Sequence, residues 1–110
     1  MLDKILSFIA GKLKDSGWKE LNSLINYRKK NGTVYVECYS SGSVSINTSY
    51  QVIGTLPVGF RPETTLYIPL GVDFSAIGVA YIMPSGQIGV RTGTGTGRLF
   101  WFDVSFPLTD

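Results

Sequence analysis

From Trp18 to Pro107 the chain is written in short runs whose side chains alternate with a period of two, and this limits its fold more than anything else. Val34, Val36 and Cys38 alternate with Tyr35, Glu37 and Tyr39. Leu66, Ile68 and Leu70 alternate with Tyr67 and Pro69, and Val79, Tyr81 and Met83 with Ala80 and Ile82. Ile88 and Val90 share one face of a short run, and Phe100, Phe102, Val104 and Phe106 share one face of the last. Successive strand side chains point to opposite sides of a sheet, so each run reads as a strand buried on one side. Turn residues separate the runs. Asn31-Gly32 is a strong two-residue hairpin signal, Pro84-Ser85-Gly86 joins two later strands, and Ser40-Ser41-Gly42, Pro57-Val58-Gly59 and Gly71 punctuate the rest. Many short strands with Gly/Pro turns predict an all-β fold, an antiparallel β-sandwich of jelly-roll-like form. No second helical pattern appears, so a βαβ arrangement is not expected.

The first residues follow a different rule. Leu2, Leu6, Ile9 and Leu13 are spaced four, three and four apart, the a/d spacing of a coiled coil, with Ile5 widening the stripe. Asp3, Lys4, Lys12 and Lys14 lie off it, and Ser16-Gly17 ends the pattern. The expectation is a short N-terminal amphipathic helix over residues 1–16, a stem or coiled-coil stub, followed by a β-sandwich head over 17–110. An isolated helix this short is marginal in water, so its apolar stripe needs a partner: its own domain, copies of itself, or a membrane surface. Leu at a with Ile at a d position leans toward three or more strands.

The chain has 110 residues, one domain's worth, with enough length for a single apolar core. Charged residues make up 16%, against about 25% in an average protein, and the net charge is only +2. Arg28, Lys29 and Lys30 are the one basic run and read as a solvated hairpin tip. No basic face or stripe points to nucleic acid. Cys38 is the single cysteine, which suits synthesis in the cytoplasm. No run approaches a membrane span, and Lys12, Lys14 and Asp15 stand where a secretory cleavage region would need small residues.

Catalytic and metal chemistry find little support. The chain has no histidine, which removes the commonest general base and metal ligand. Cys38 alternates with core valines and reads as an inert thiol. Glu37 and Asp103 are the least implausible pair for a two-carboxylate glycosidase. Thr92-Gly93-Thr94-Gly95-Thr96-Gly97 lacks the phosphate-loop pattern and reads as a mobile loop. Asn31-Gly32-Thr33 and Asn47-Thr48-Ser49 match the glycosylation pattern, which is frequent by chance. The expectation is no enzyme, no cofactor and no metal.

Several motifs occur together in a set order. Trp18 opens the β region. The hairpin Tyr27-Arg28-Lys29-Lys30-Asn31-Gly32-Thr33-Val34-Tyr35-Val36 follows, then Ile53-Gly54-Thr55-Leu56-Pro57-Val58-Gly59-Phe60-Arg61-Pro62, then Pro84-Ser85-Gly86-Gln87-Ile88, and finally Phe102-Asp103-Val104-Ser105-Phe106-Pro107-Leu108. Over residues 18–108 this order resembles the C-terminal head domain of phage and prophage tail-fibre, baseplate and receptor-binding proteins. The resemblance implies a homotrimer in which a stem leads into a β-sandwich head that binds host-surface saccharide or protein. It also implies a place on the virion tail or baseplate after synthesis in the bacterial cytoplasm. No family-wide set of binding residues maps onto this chain. Tail proteins are usually much longer, so the chain is expected to be a fragment or a small stand-alone protein.

The register argues for where a ligand would sit. With Phe100, Phe102, Val104 and Phe106 inward alongside Val34, Val36, Leu66 and Ile68, the residues between them face outward. Trp101, Asp103 and Ser105 then lie on one strand and Tyr35, Glu37 and Tyr39 on another. A ring can stack on a pyranose while an acid accepts its hydroxyls. Tyr and Trp equally suit a protein interface, so the same residues serve either a ligand or a neighbouring subunit. Arg91 and Arg98, flanking the Gly-Thr loop, would add recognition of an acidic saccharide. The candidate ligand residues are Trp101, Asp103, Tyr35, Tyr39, Arg91 and Arg98, and the candidate oligomerisation residues are Leu2, Leu6, Ile9 and Leu13. The turn at Pro57 to Pro62 reads as a rigid corner, with Phe60 plugging the core beside Leu56 and Arg61 pairing with Glu63 or capping carbonyls. A stand-alone, monomeric carbohydrate-binding or adhesion module remains the alternative.

Overall fold

The computed structural model describes residues 15–74 and 76–108. The expected helix and its stripe of Leu2, Leu6, Ile9 and Leu13 lie outside the described residues. Asp15 and Ser16 run beside the sheet: Asp15 bridges to Lys30, and the Ser16 amide donates to the Lys29 carbonyl at 2.8 Å.

The described residues are all-β and antiparallel. Eight strands form one curled sheet: β1 (Lys19–Glu20), β2 (Ile25–Lys30), β3 (Thr33–Ile46), β4 (Gln51–Thr55), β5 (Leu66–Val72), β6 (Ala76–Ile82), β7 (Gln87–Thr92) and β8 (Gly97–Pro107). Their order is β1-β2-β3-β8-β5-β6-β7-β4. The Asn31-Gly32 turn takes positive φ at both residues, 54° and 78°, the backbone of a type I′ hairpin. It sets Lys30 opposite Thr33 and so fixes the β2–β3 register back to Ile25 opposite Cys38.

The β3–β8 ladder is the longest. It runs from Thr33 opposite Pro107 to Ser41 opposite Leu99. Val34, Val36, Cys38, Phe100, Phe102 and Phe106 are buried on its inner side, with Val104 packed against them, and the core continues through Ile25, Ile46, Leu56, Ile68, Leu70, Val72, Ala80, Ile82, Ile88 and Val90. Curling brings the two ends of the sheet toward each other across this core. Asn22 donates from Nδ2 to the Ile53 carbonyl at 2.8 Å, and Tyr27 meets Phe60 edge-on at 4.9 Å between ring centres.

Three expectations change. Ser41-Gly42 does not end a strand: β3 continues to Ile46, and the ladder shifts register between Ser41 and Ile46, with Gly42 at φ 112°. β3 advances five residues there, from Ser41 to Ile46, while β8 advances two, from Leu99 to Gly97, and an irregularity that absorbs the surplus keeps the strand running. Gly71 also lies inside a strand, β5, where it leaves room for a ring described below. The basic run is engaged rather than simply solvated. Arg28 pairs with Asp15, and Lys29 donates from Nζ to the Gly59 carbonyl at 3.0 Å with its ammonium 4.8 Å from the Phe60 ring centre. At the Pro57–Phe60 corner the Phe60 amide donates to the Pro57 carbonyl at 3.2 Å, and Arg61 caps a carbonyl, donating from Nε to Leu56 at 2.9 Å.

Candidate functional site

The outer side of β1, β2, β3 and β8 carries the candidate site. Pairing along the β3–β8 ladder sets Tyr39 opposite Trp101, Glu37 opposite Asp103 and Tyr35 opposite Ser105. Directly opposed side chains on one face stand about 4.5–5.5 Å apart at Cβ, so these six form one continuous patch. Tyr39 is 59% exposed and Tyr35 39%, and Asp103 is exposed too. β2 and β1 extend the patch sideways. Asn26 stands opposite Glu37 and donates to its Oε1 at 3.3 Å, and Glu20 stands opposite Asn26.

Two grooves cross this face. The first, of about 490 Å³, is walled by Glu20, Asn26, Glu37, Tyr39, Trp101 and Asp103, and the second, of about 420 Å³, by Trp18, Tyr35, Glu37, Asp103 and Ser105. Glu37 and Asp103 line both. The carboxylates weighed for glycoside cleavage are therefore neighbours across the ladder, with like charges directly opposed, which is a destabilising arrangement.

Trp101 is held by its surroundings. It stands opposite Gly71 of β5, and its ring lies where a side chain there would begin, the nearest ring carbon 2.3 Å from the position of a Cβ. Phe74 stacks beside it at 5.1 Å, tilted by 38°, and is 79% exposed. Phe74 holds φ at 62° and Asp73 at 48°, a region bulky residues rarely occupy. The turn is anchored by Asp73, whose Oδ1 accepts from the Leu99 amide at 2.9 Å and whose own amide donates to the Leu99 carbonyl at 2.7 Å.

Of the sequence-level candidates, the ladder brings together Trp101, Asp103, Tyr35 and Tyr39. Arg91 and Arg98 line neither groove. Arg91 lies over the Tyr50 ring at 5.1 Å, on the β7 side of the sheet, and Arg98 donates its amide to Asp73. Trp18, Glu20, Asn26 and Gly71 join the site without having been singled out for it. Counting the hairpin register back from Asn31-Gly32 places Asn26 opposite Glu37, so that signal was present. Gly71 required knowing that β5 pairs with β8. The Gly-Thr segment is held in part: the Thr92 hydroxyl donates to the Gly95 carbonyl at 2.8 Å, and Gly97 is buried.

Cys38 points away from the site into the core. Burial first, and the Asp103 charge second, push its thiol up to about 12. Arg28 hydrogen bonds hold the Asp15 carboxyl well below the usual carboxylate range, helped by the Gly17 amide. Among the described residues no group of three His, Cys, Asp or Glu side chains stands where it could hold a metal ion. No protein-family model matches the chain, and no curated protein sequence matches it.

Proposed function

We propose that this chain is the head of a phage-type tail or receptor-binding protein, a non-enzymatic module that acts as a trimer and binds host-surface saccharide or protein. It would be made in the bacterial cytoplasm and carried on the tail or baseplate. The observation that carries the binding role is the Tyr39–Trp101 and Glu37–Asp103 arrangement on the outer face of β3 and β8. An aromatic body with a polar tip suits recognition, and here two such residues flank paired acceptors in an open groove. The motif order over residues 18–108 and the four-three-four spacing of Leu2, Leu6, Ile9 and Leu13 support the trimeric stem.

The finer fold in this proposal is a jelly-roll-like β-sandwich. The contacts between Asn22 and Ile53 and between Tyr27 and Phe60 support it, because they bring β2 and the segments around β4 over a common core.

Solution mass and a glycan array test the proposal together. A trimer of 12.0 kDa chains weighs about 36 kDa, and replacing Leu6 and Ile9 with Asp should reduce it to monomers. An unchanged mass for that double variant would remove the stem. A 12.0 kDa monomer that still binds glycans would instead mark a stand-alone carbohydrate-binding module, and turnover on a polysaccharide panel would overturn the non-enzymatic role. Trp101→Ala separates the two uses of the outer face: lost glycan binding at unchanged mass makes Trp101 a ligand contact, and a loosened trimer makes it an interface residue.

A further inference from the structure

We infer that the groove between β1 and β8 takes a pyranose bearing a protonated amino group, a hexosamine, in preference to neutral or acidic sugars. The inference rests on the saccharide reading above and goes further by naming the class. Three carboxylates, Glu20, Glu37 and Asp103, line this groove of about 490 Å³, and no lysine or arginine does. Arg91 and Arg98, which would have favoured an acidic sugar, lie outside it. Glu37 and Asp103 face each other across the ladder, and their mutual repulsion is relieved when a cation enters between them. Asn26, already hydrogen-bonded to Glu37, adds an amide that can both donate and accept.

A charge alone would suit a basic peptide equally, and the Trp101 geometry decides against one. Gly71 keeps the ring down on the sheet, and the exposed Tyr39 stands opposite it across the ladder. Trp101 and Tyr39 line the same groove as the three acids. A pyranose offers the matching combination in one rigid unit: an apolar C–H face for the ring and equatorial polar groups for the acids. A lysine side chain would reach the acids but offers no rigid apolar face to the two rings.

The test is calorimetry on the full chain at mildly acidic pH, where the sugar amines carry a proton, with four probes: a β-linked glucosamine hexamer, its N-acetylated counterpart, a galacturonic acid hexamer and hexalysine. The glucosamine hexamer should bind at least about fivefold more tightly than the acetylated one, the scale of one partly exposed charge pair. The uronate should not bind. Glu37→Gln with Asp103→Asn should cut binding of the glucosamine hexamer more than that of the acetylated one and so erase the preference, and Trp101→Ala should weaken both. Equal binding of the two amino-sugar hexamers, or tighter binding of the uronate, overturns the inference while leaving a saccharide-binding head intact. Hexalysine binding as tightly as glucosamine overturns the saccharide class at this groove. No binding to any probe overturns the inference as well, and a glycan array blank for every other sugar would overturn the broader saccharide reading with it.

Discussion

Two aromatic rings in this sheet lie on glycines of the next strand, and they finish in opposite states. Tyr81 of β6 stands opposite Gly89 of β7, its ring 2.2 Å from where a Cβ would be. Trp101 of β8 stands opposite Gly71 of β5, its ring at 2.3 Å. Tyr81 is then closed over. Tyr50 packs edge-on against it at 4.9 Å, Gln87 donates to its hydroxyl at 2.7 Å, and the residue is buried. Trp101 stays half-buried, with exposed Phe74 at its side and exposed Tyr39 across the ladder. A glycine opposite an aromatic fixes where the ring lies. The neighbouring residues decide whether its outer side is used within the protein or left for something else.

The sharpest contrast lies within β8 itself. Phe102→Ala should cost about 3–5 kcal/mol, because it empties a buried site in the core. Asp103→Asn, one residue along and facing out, should leave denaturant stability nearly unchanged or slightly raise it by relieving repulsion against Glu37. Equal losses from the two would dissolve the distinction between faces.

The two glycines offer a direct comparison. Gly89→Ala should destabilise by about 1–3 kcal/mol, since the caged Tyr81 ring has nowhere to go. Gly71→Ala meets a ring that can swing outward, so it should melt closer to the parent yet lose glucosamine-hexamer binding. A Gly71→Ala protein that binds normally would show that the pinned ring is irrelevant to the groove.

Titration extends the comparison from rings to ionising groups. The folded-state pKa of Cys38 lies near 12, above an ordinary 9.0. Its contribution is fully present below pH 9.0, and falls by about 1.4 kcal/mol per pH unit above it, as the unfolded thiol ionises. The melting-temperature gap between Cys38→Val and the parent should therefore move in the variant's favour through alkaline pH. A flat gap would detach the thiol from the core. Asp15 runs the other way. Its depressed carboxyl adds stability above its ordinary 3.8 that is lost as acid protonates it. The pair with Arg28 is exposed and screened by salt, so Asp15→Asn should produce only a small loss of stability, and one that vanishes in acid.

The local features of this fold could be read from the sequence because each depends on neighbours in the chain. Val34, Val36 and Cys38 declare an inner face by their spacing, and Asn31-Gly32 declares a turn by its permitted backbone angles. Those two together put Tyr35, Glu37 and Tyr39 outward. The strand order was not readable, because nothing near Phe100 states that β8 enters between β3 and β5. The same gap hid the partner of Trp101 and made Gly71 look like punctuation. The neighbour of Arg91 was hidden for a related reason: a place beside the Gly-Thr segment says nothing of Tyr50, which the start of β4 brings against β7.

Placing β8 between β3 and β5 has a consequence for how the chain comes off the ribosome. β3 leaves the exit tunnel early, and its partner along most of its length is β8, down to Thr33 opposite Pro107. Contacts this distant in sequence slow folding, and unpaired strand edges in incomplete chains invite aggregation. During synthesis the apolar side of β3 therefore waits, with β2 along one edge and the other edge open, until the last strand arrives. A nascent chain stalled before Arg98 would present that edge to its neighbours on the same polysome, so translation speed through the final strand bears on yield.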